Sequence, residues 1–284
     1  MELIRSAADL AATTDDRRAA GDKVAFVATM GALHEGHISL LRRARAEGDV
    51  LVVSIFVNPL QFGPNEDFDR YPRDEPHDLE VCRALGADLV WAPPVEEVFP
   101  PGLDVPAPDP GPVGAIFEGA ARPGHFAGVL KVVHRLFDVV GPCTSYFGEK
   151  DAQQLFLVRG MVEDRSLSVT IVGCPTVREP DGLARASRNA FLSATERSAA
   201  GCLFLGLSEA AVLARAGERD AAVLVAAIAR EVGATPLASL DYASVVDESS
   251  FEPVRTIDAP ARALVAARFG STRLIDNLAL PTAG

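Results

Sequence analysis

Val24-Ala-Phe-Val-Ala-Thr-Met-Gly-Ala-Leu-His-Glu-Gly-His37 is the stretch whose reading decides the fold. An apolar strand runs straight into a glycine-containing turn that carries two histidines three residues apart. A helical apolar pattern (Ile38, Leu40, Leu41, Ala44) follows at once. A strand, a turn and a helix start build an anion site together, because the first helical N–H groups lack intrahelical partners and point outward. Gly31 and Gly36 let the backbone come close to a ligand. His34 and His37, at i and i+3, share one face of the opening turn and can donate to phosphate oxygens. The chemistry implied is that of a nucleoside triphosphate site. Alone, the pair also suits a capping histidine beside a surface one. Zinc is disfavoured, since no cysteine is near and the spacing is not that of a zinc helix.

Strand-like runs and helical patterns alternate outward from this stretch. Strands are expected at Val24–Thr29, Val50–Val57, Asp88–Trp91, Thr144–Phe147 and Ser168–Val172, with helices near 37–47, 76–85, 125–140 and 151–163. Gly48, Gly86 and Gly141 stand where helix C-caps belong. The rhythm predicts an α/β fold, a Rossmann-like doubly wound parallel sheet that binds ligands at the carboxyl ends of its strands. Nine prolines between 92 and 123 interrupt it with an irregular excursion. Past Pro175, a polar loop leads to Ser193-Ala-Thr-Glu196, a capping box opening an alanine-rich helix to about Ala216. A further helix over 219–232 and strands at Leu240–Val246, Arg262–Phe269 and Thr272–Leu278 complete a smaller α+β domain. Gly270-Ser271 is its hairpin turn. The expected domains are 1–175 and 176–284, the second acting as a lid.

The 284 residues are 48 % apolar, enough for a substantial core. No unbroken apolar run is long enough to span a bilayer, and the N-terminus lacks a signal peptide's apolar stretch, so no membrane association and a cytoplasmic location are expected. Cys82, Cys143, Cys174 and Cys202 are widely spaced, as reduced buried thiols would be. The net charge is −12, from 27 basic against 39 acidic residues. Such a chain has little to neutralise a phosphate backbone, which favours a small substrate over nucleic acid.

Other segments bear on the same edge of the sheet. Phe56-Val-Asn-Pro-Leu-Gln-Phe62 follows the second strand, so Asn58 and Gln61 emerge beside His34, where paired amide groups can read a carboxylate or hydroxyl. Asn-Pro is also ordinary turn punctuation. Tyr146-Phe-Gly-Glu-Lys-Asp151 repeats the strand-to-helix layout: Gly148 permits close approach, Lys150 brings a point charge and Asp151 can accept from ribose hydroxyls. The loop Val177–Asn189 offers Ser187 and Arg188 to phosphate, or is simply a linker. Arg122-Pro-Gly-His-Phe126 is either a substrate-facing edge or a helix start.

These segments, in this order, resemble the pantothenate synthetase family of the HxGH nucleotidyltransferase superfamily over nearly the whole chain. The matching motifs include Tyr71-Pro-Arg73, Phe147-Gly-Glu-Lys-Asp-Ala-Gln-Gln154 and Arg185-Ala-Ser-Arg-Asn189. The resemblance implies an ATP-dependent ligase that joins pantoate to β-alanine through an enzyme-bound pantoyl adenylate. It implies that Met30, Gly31, Ala32, Leu33, His34, Glu35, Gly36 and His37 bind ATP together with Gly148, Glu149, Lys150 and Asp151. Val177, Arg185, Ala186, Ser187 and Arg188 would close over the nucleotide. His37, His34, Lys150 and Arg188 would be catalytic, and Gln61, Gln154 and Asn58 would hold pantoate and β-alanine. Magnesium on the phosphates and a homodimer are also implied, with the metal's protein ligands open. The chain departs from the family at Ala28, where proline is usual, and at Arg185-Ala186, where Met-Ser is usual. Beside Asp78 it has His77 instead of a further carboxylate. Two alternatives therefore stand: another HxGH nucleotidyltransferase, and a non-catalytic nucleotide-binding descendant.

Overall fold

The strand expected at Val24–Thr29 spans those residues and lies inside a six-stranded parallel sheet. The computed structural model describes residues 1–64, 66 and 68–281. In chain order the sheet contains β1 (Glu2–Ile4), β2 (Val24–Thr29), β3 (Val50–Ile55), β4 (Leu89–Trp91), β5 (Cys143–Gly148) and β6 (Val169–Cys174). Its spatial order is β1-β4-β3-β2-β5-β6, every pair parallel. The connecting helices are α1 (Ala7–Ala19), α2 (Glu35–Glu47), α3 (Glu75–Ala84), α4 (Val95–Val98), α5 (Glu118–Ala121), α6 (His125–Val140) and α7 (Ala152–Asp164). The strand order reverses between β2 and β5, so both loops leaving their carboxyl ends flank the switch point where such sheets bind ligands.

Alternation along the strands explains the two helical layers. Val24, Phe26, Val50, Val52, Leu89 and Trp91 face one side, packed with α1, α6 and α7. Ala25, Val27, Leu51, Val53 and Val90 face the other, against Leu40, Leu41 and Ala44 of α2 and Cys82 of α3. Each large side chain so buried contributes about 1.5–3 kcal/mol relative to exposure. The Pro-rich excursion is irregular apart from the short α4, a 3-10 turn at Pro112–Ala115 and α5. Strand β1 and helix α1 lie outside the elements expected from sequence. Ser6 announces α1 by accepting from the Asp9 amide at 3.3 Å, but the helix shows a weak apolar stripe.

The chain divides into two compact units, Met1–Glu149 with Gln153–Pro175, and Lys150–Ala152 with Thr176–Gly284. The second contains α8 (Ala194–Ala199), α9 (Cys202–Arg215), α10 (Ala221–Gly233) and the antiparallel strands β7 (Ala238–Asp247), β8 (Ala261–Phe269) and β9 (Thr272–Leu280). Phe269 pairs with Thr272, so Gly270-Ser271 is the two-residue hairpin turn, with Gly270 at φ +57°. One expected helix is in fact two. At Ala200-Gly201 the backbone tightens, and the Leu203 amide bonds the Ala200 carbonyl three residues back. The stretch Ala194–Arg215 is long and apolar enough to cross a bilayer, but half of its most apolar window is buried. Leu203, Leu207, Ala210 and Ala214 belong to this unit's core.

A buried ion pair ties that core to the start of the second unit. Arg178 grips Asp276 through two bonds of 2.6 and 3.0 Å and stacks over the Phe204 ring. Asp276 is fully buried, and that burial pushes its carboxyl up from the ordinary value while Arg178 opposes the shift. Removing one partner of such a pair strands the other charge. Arg178→Met is expected to lower unfolding stability by about 3–5 kcal/mol in urea titrations. A loss below about 1 kcal/mol would mean that Asp276 is carried neutral, without need of the guanidinium.

Candidate functional site

The turn after β2 is built around a carboxylate that the sequence alone does not assign to it. Asp78, in the first turn of α3, is 1 % exposed and accepts from the Ala32 and Leu33 amides at 3.0 and 2.8 Å. Those bonds hold Gly31 at φ +78° and Ala32 at φ +50°, the latter a conformation that side chains resist. A Cβ on Gly31 would lie 2.7 Å from an Asp78 oxygen. A side chain at Gly31 would thus meet Asp78, and the Ala32 and Leu33 amides are spent inside the protein. Thr29 completes the turn, its Oγ1 accepting from the Gly31 amide at 3.2 Å.

The two histidines combine the structural and chemical readings. His34 is the N-cap of α2, its Nδ1 accepting from the Gly36 amide at 3.1 Å, while His37 Nδ1 accepts from the His34 amide at 3.3 Å. An acceptor nitrogen carries no proton. Donor–acceptor logic therefore assigns both neutral rings the tautomer with hydrogen on Nε2. The rings lie 4.2 Å apart, so the helix start supports two adjacent imidazole donors. Glu35 is exposed and Gly36 lies between them in the first turn.

Beyond β3, Asn58 proves to be a scaffold for Gln61. It is 1 % exposed; its Oδ1 accepts from the Leu60 amide at 3.2 Å, and its Nδ2 reaches Gln61 Oε1 and the Gly128 carbonyl, both at 3.1 Å. Both amide hydrogens of Asn58 and one lone pair of its oxygen are thus engaged inside the protein. Gln61 is half-buried, and its Nε2 meets Met30 Sδ at 3.0 Å. Gln154, also half-buried, lies in the first turn of α7. Its neighbour Gln153 carries no signal in the sequence, yet it ties down the excursion. Its Nε2 donates to the Val113 and Ile116 carbonyls at 2.7 and 2.9 Å, and its Oε1 accepts from the Glu118 amide at 3.1 Å.

Strand β5 ends at Gly148, where a Cβ would meet nothing, and Glu149 follows in a 3-10 turn. Lys150 belongs with the second unit. Its ammonium pairs with Asp151 at 3.3 Å and its carbonyl accepts from Asn277 Nδ2 at 2.9 Å. In the same unit Val177 accepts from the Arg185 amide at 2.9 Å, closing the loop that carries Ala186, Ser187 and Arg188. Arg185 pairs with Glu179 at 3.1 Å, so its charge is already engaged. Ser187 and Arg188 lie half-buried in the 3-10 turn Ser187–Phe191. Among the described residues no group of three or more histidines, cysteines, aspartates or glutamates could hold a metal ion.

Comparison with known proteins places this geometry. Residues 2–279 match the family described as pantoate-beta-alanine ligase. The chain is 51 % identical to the pantothenate synthetase of Roseiflexus castenholzii, over 93 % of this chain and 95 % of that one. It is 50 % identical to that of Rhizorhabdus wittichii, over the full length of both. The crystal structure of pantothenate synthetase from Thermus thermophilus superimposes with a TM-score of 0.93 at 45 % identity, covering 99 % of this chain and 100 % of that one. A pantoate-beta-alanine ligase from Francisella tularensis, complexed with beta-gamma ATP and beta-alanine, gives 0.78 at 33 % identity, covering 98 % and 97 %.

Asp78 carries a direct expectation. Asp78→Ala leaves two buried amides without acceptors, each costing about 1–3 kcal/mol. Thermal unfolding is expected to fall several degrees, and the KM for ATP to rise more than that for β-alanine. An unchanged melting temperature and an unchanged KM for ATP would show that the turn holds without this carboxylate.

Proposed function

The chain belongs to the pantoate–β-alanine ligase family and joins pantoate to β-alanine; on that premise we propose that it does so through a pantoyl adenylate made from ATP. The observation that carries the proposal is the pair of imidazoles at the start of α2, at the carboxyl edge of β2, whose Nδ1 atoms accept backbone amides. In the first step a pantoate carboxylate oxygen bonds the α-phosphorus and the bond to the β-phosphate oxygen breaks, releasing pyrophosphate. Negative charge gathers on phosphate oxygens, so positioning and electrostatic stabilisation supply most of the rate. His34 and His37 are assigned as donors to that charge, with Lys150 and Arg188 as the cations. Neutral imidazoles stabilise by donation without becoming acids, which suits a step with no proton to transfer. The Francisella tularensis relative's complex with beta-gamma ATP and beta-alanine supports ATP as the co-substrate.

In the second step the free amine of β-alanine attacks the acyl carbon. The C–N bond forms, the C–O bond to the phosphate breaks, AMP leaves and nitrogen sheds its proton to solvent. Gln61 and Gln154 are assigned to pantoate, and Gln61 also to β-alanine, since uncharged amides orient a hydroxy acid without neutralising its nucleophilic carboxylate. Magnesium, when present, neutralises charge on the triphosphate. Asp78 is spent on backbone amides and His77 stands beside it, so no protein ligand is assigned to the metal. The competing transferase reading requires a phosphate-bearing acceptor, which amides serve poorly. The homodimer carried by the family resemblance is tested by sedimentation of the purified chain, and the cytoplasmic location by cell fractionation.

Product analysis with ATP, pantoate and β-alanine tests the route. AMP is expected only when both acids are present; pyrophosphate with a phosphorylated acceptor and no AMP overturns the ligase route. His37→Ala is expected to slow adenylate formation by about 10²–10³-fold, as loss of one charge-stabilising donor does, with the fold intact by circular dichroism. Near-normal turnover would remove His37 from the mechanism. Gln154→Ala is expected to raise the KM for pantoate well above any change for ATP. Equal changes would make Gln154 a residue of the fold.

A further inference from the structure

Arg122-Pro-Gly-His-Phe126 has no part in the chemistry above, yet its two polar side chains converge on Gln61. His125, in the first turn of α6, is 9 % exposed; its Nδ1 lies 2.9 Å from the Gln61 backbone carbonyl and its Nε2 2.9 Å from Arg122 Nη1. A carbonyl only accepts and a guanidinium only donates, so the ring is neutral, with hydrogen on Nδ1 and a lone pair on Nε2. This is the opposite tautomer to that of His34 and His37. Burial and the neighbouring Arg122 cation push His125 down to about 4, with Gln61, Glu66 and Glu118 opposing, so the ring stays neutral near pH 7. Arg122 is held in turn by Glu66, through bonds of 2.8 and 2.5 Å, and also reaches the Gln61 carbonyl at 3.3 Å.

Helix α6 grips the same turn at a second point. The Gly128 carbonyl accepts from Asn58 Nδ2 at 3.1 Å, and a Cβ on Gly128 would overlap the Leu60 carbonyl. Gln61 therefore has its main chain bonded to His125 and Arg122 and its side chain set between Asn58 and Met30. A contact serving stability alone would be met more simply by apolar packing, since each buried polar atom must be desolvated. The bonds end on the residue assigned above to pantoate.

We propose that Glu66, Arg122 and His125 form a relay of positioning residues that fixes the angle at which Gln61 presents its carboxamide to the substrate, a reading that rests on Gln61 meeting pantoate. All three are assigned a role through Gln61 alone.

Paired substitutions in the full chain separate this role from a merely structural one. In His125→Asn the side-chain nitrogen replaces Nδ1 and can still donate to the Gln61 carbonyl. In His125→Gln the nitrogen replaces Nε2 instead and cannot. His125→Gln is expected to raise the KM for pantoate about tenfold or more while the KM for ATP stays within about twofold; His125→Asn is expected to keep pantoate within about threefold. Equal effects of the two variants on pantoate, or parallel changes for pantoate and ATP, overturn the relay. Ring-nitrogen NMR shifts of the wild-type protein, with five histidines and His125 assigned by its loss in His125→Asn, do not depend on either variant's behaviour. A ring protonated on Nδ1 supports the relay, and one protonated on Nε2 overturns it. Should the Nδ1 form be seen while Gln61→Ala leaves the KM for pantoate unchanged, the assignment of Gln61 fails, and the relay's purpose with it, although the bond pattern stands.

Discussion

Two backbone amides donating to one buried carboxylate hold the centre of this protein together. Asp78 arrives from α3 and accepts from Ala32 and Leu33, 46 and 45 positions earlier in the chain. The bonds are charge-assisted and shielded from water, the setting in which such bonds are strongest. They offset the cost of placing Ala32 at a positive φ and so fix where α2 begins. The His34 cap and the two Nε2–H tautomers follow from that start. Asp78 thereby engages two amides of the turn inside the protein, and the imidazoles are the turn's proposed contribution to phosphate.

Two loops of the first unit share a pattern. A buried amide holds the backbone, and the neighbour proposed to meet the substrate is less buried. Asn58 holds Gln61, and Gln153 anchors the Pro-rich excursion while Gln154 sits one residue further along α7. The parallel sheet makes this necessary. Its ligand edge consists of loops, and loops hold their shape only when their backbone groups find partners.

The sequence was informative where a signal is local. Apolar runs between helical patterns located β2 through β6; glycine and the Ser193–Glu196 capping box marked helix ends. The ordered motifs pointed to the family. What could not be read was set by contacts distant in the chain. The role of Asp78 in the turn was not legible, because its partners lie 45 and 46 residues away in the chain. The bonds of Asn58 and Gln153 were not legible because residue type does not say which way an amide faces. Arg185 offered a charge to phosphate, and the structure pairs it with Glu179. Strand β1 is three residues long, too short for periodicity to register.

Residues 150–152 interrupt the first unit's sequence but belong with the second, where the Lys150 carbonyl is held by Asn277 of β9. The linear order of this chain is therefore not the order of its parts. Cut after Pro175, the leading piece keeps Lys150 without the side chain that orients its backbone, and the trailing piece keeps that side chain without Lys150. The smaller unit is no cassette to be grafted onto another nucleotide-binding sheet, since three of its residues are always inherited with its neighbour.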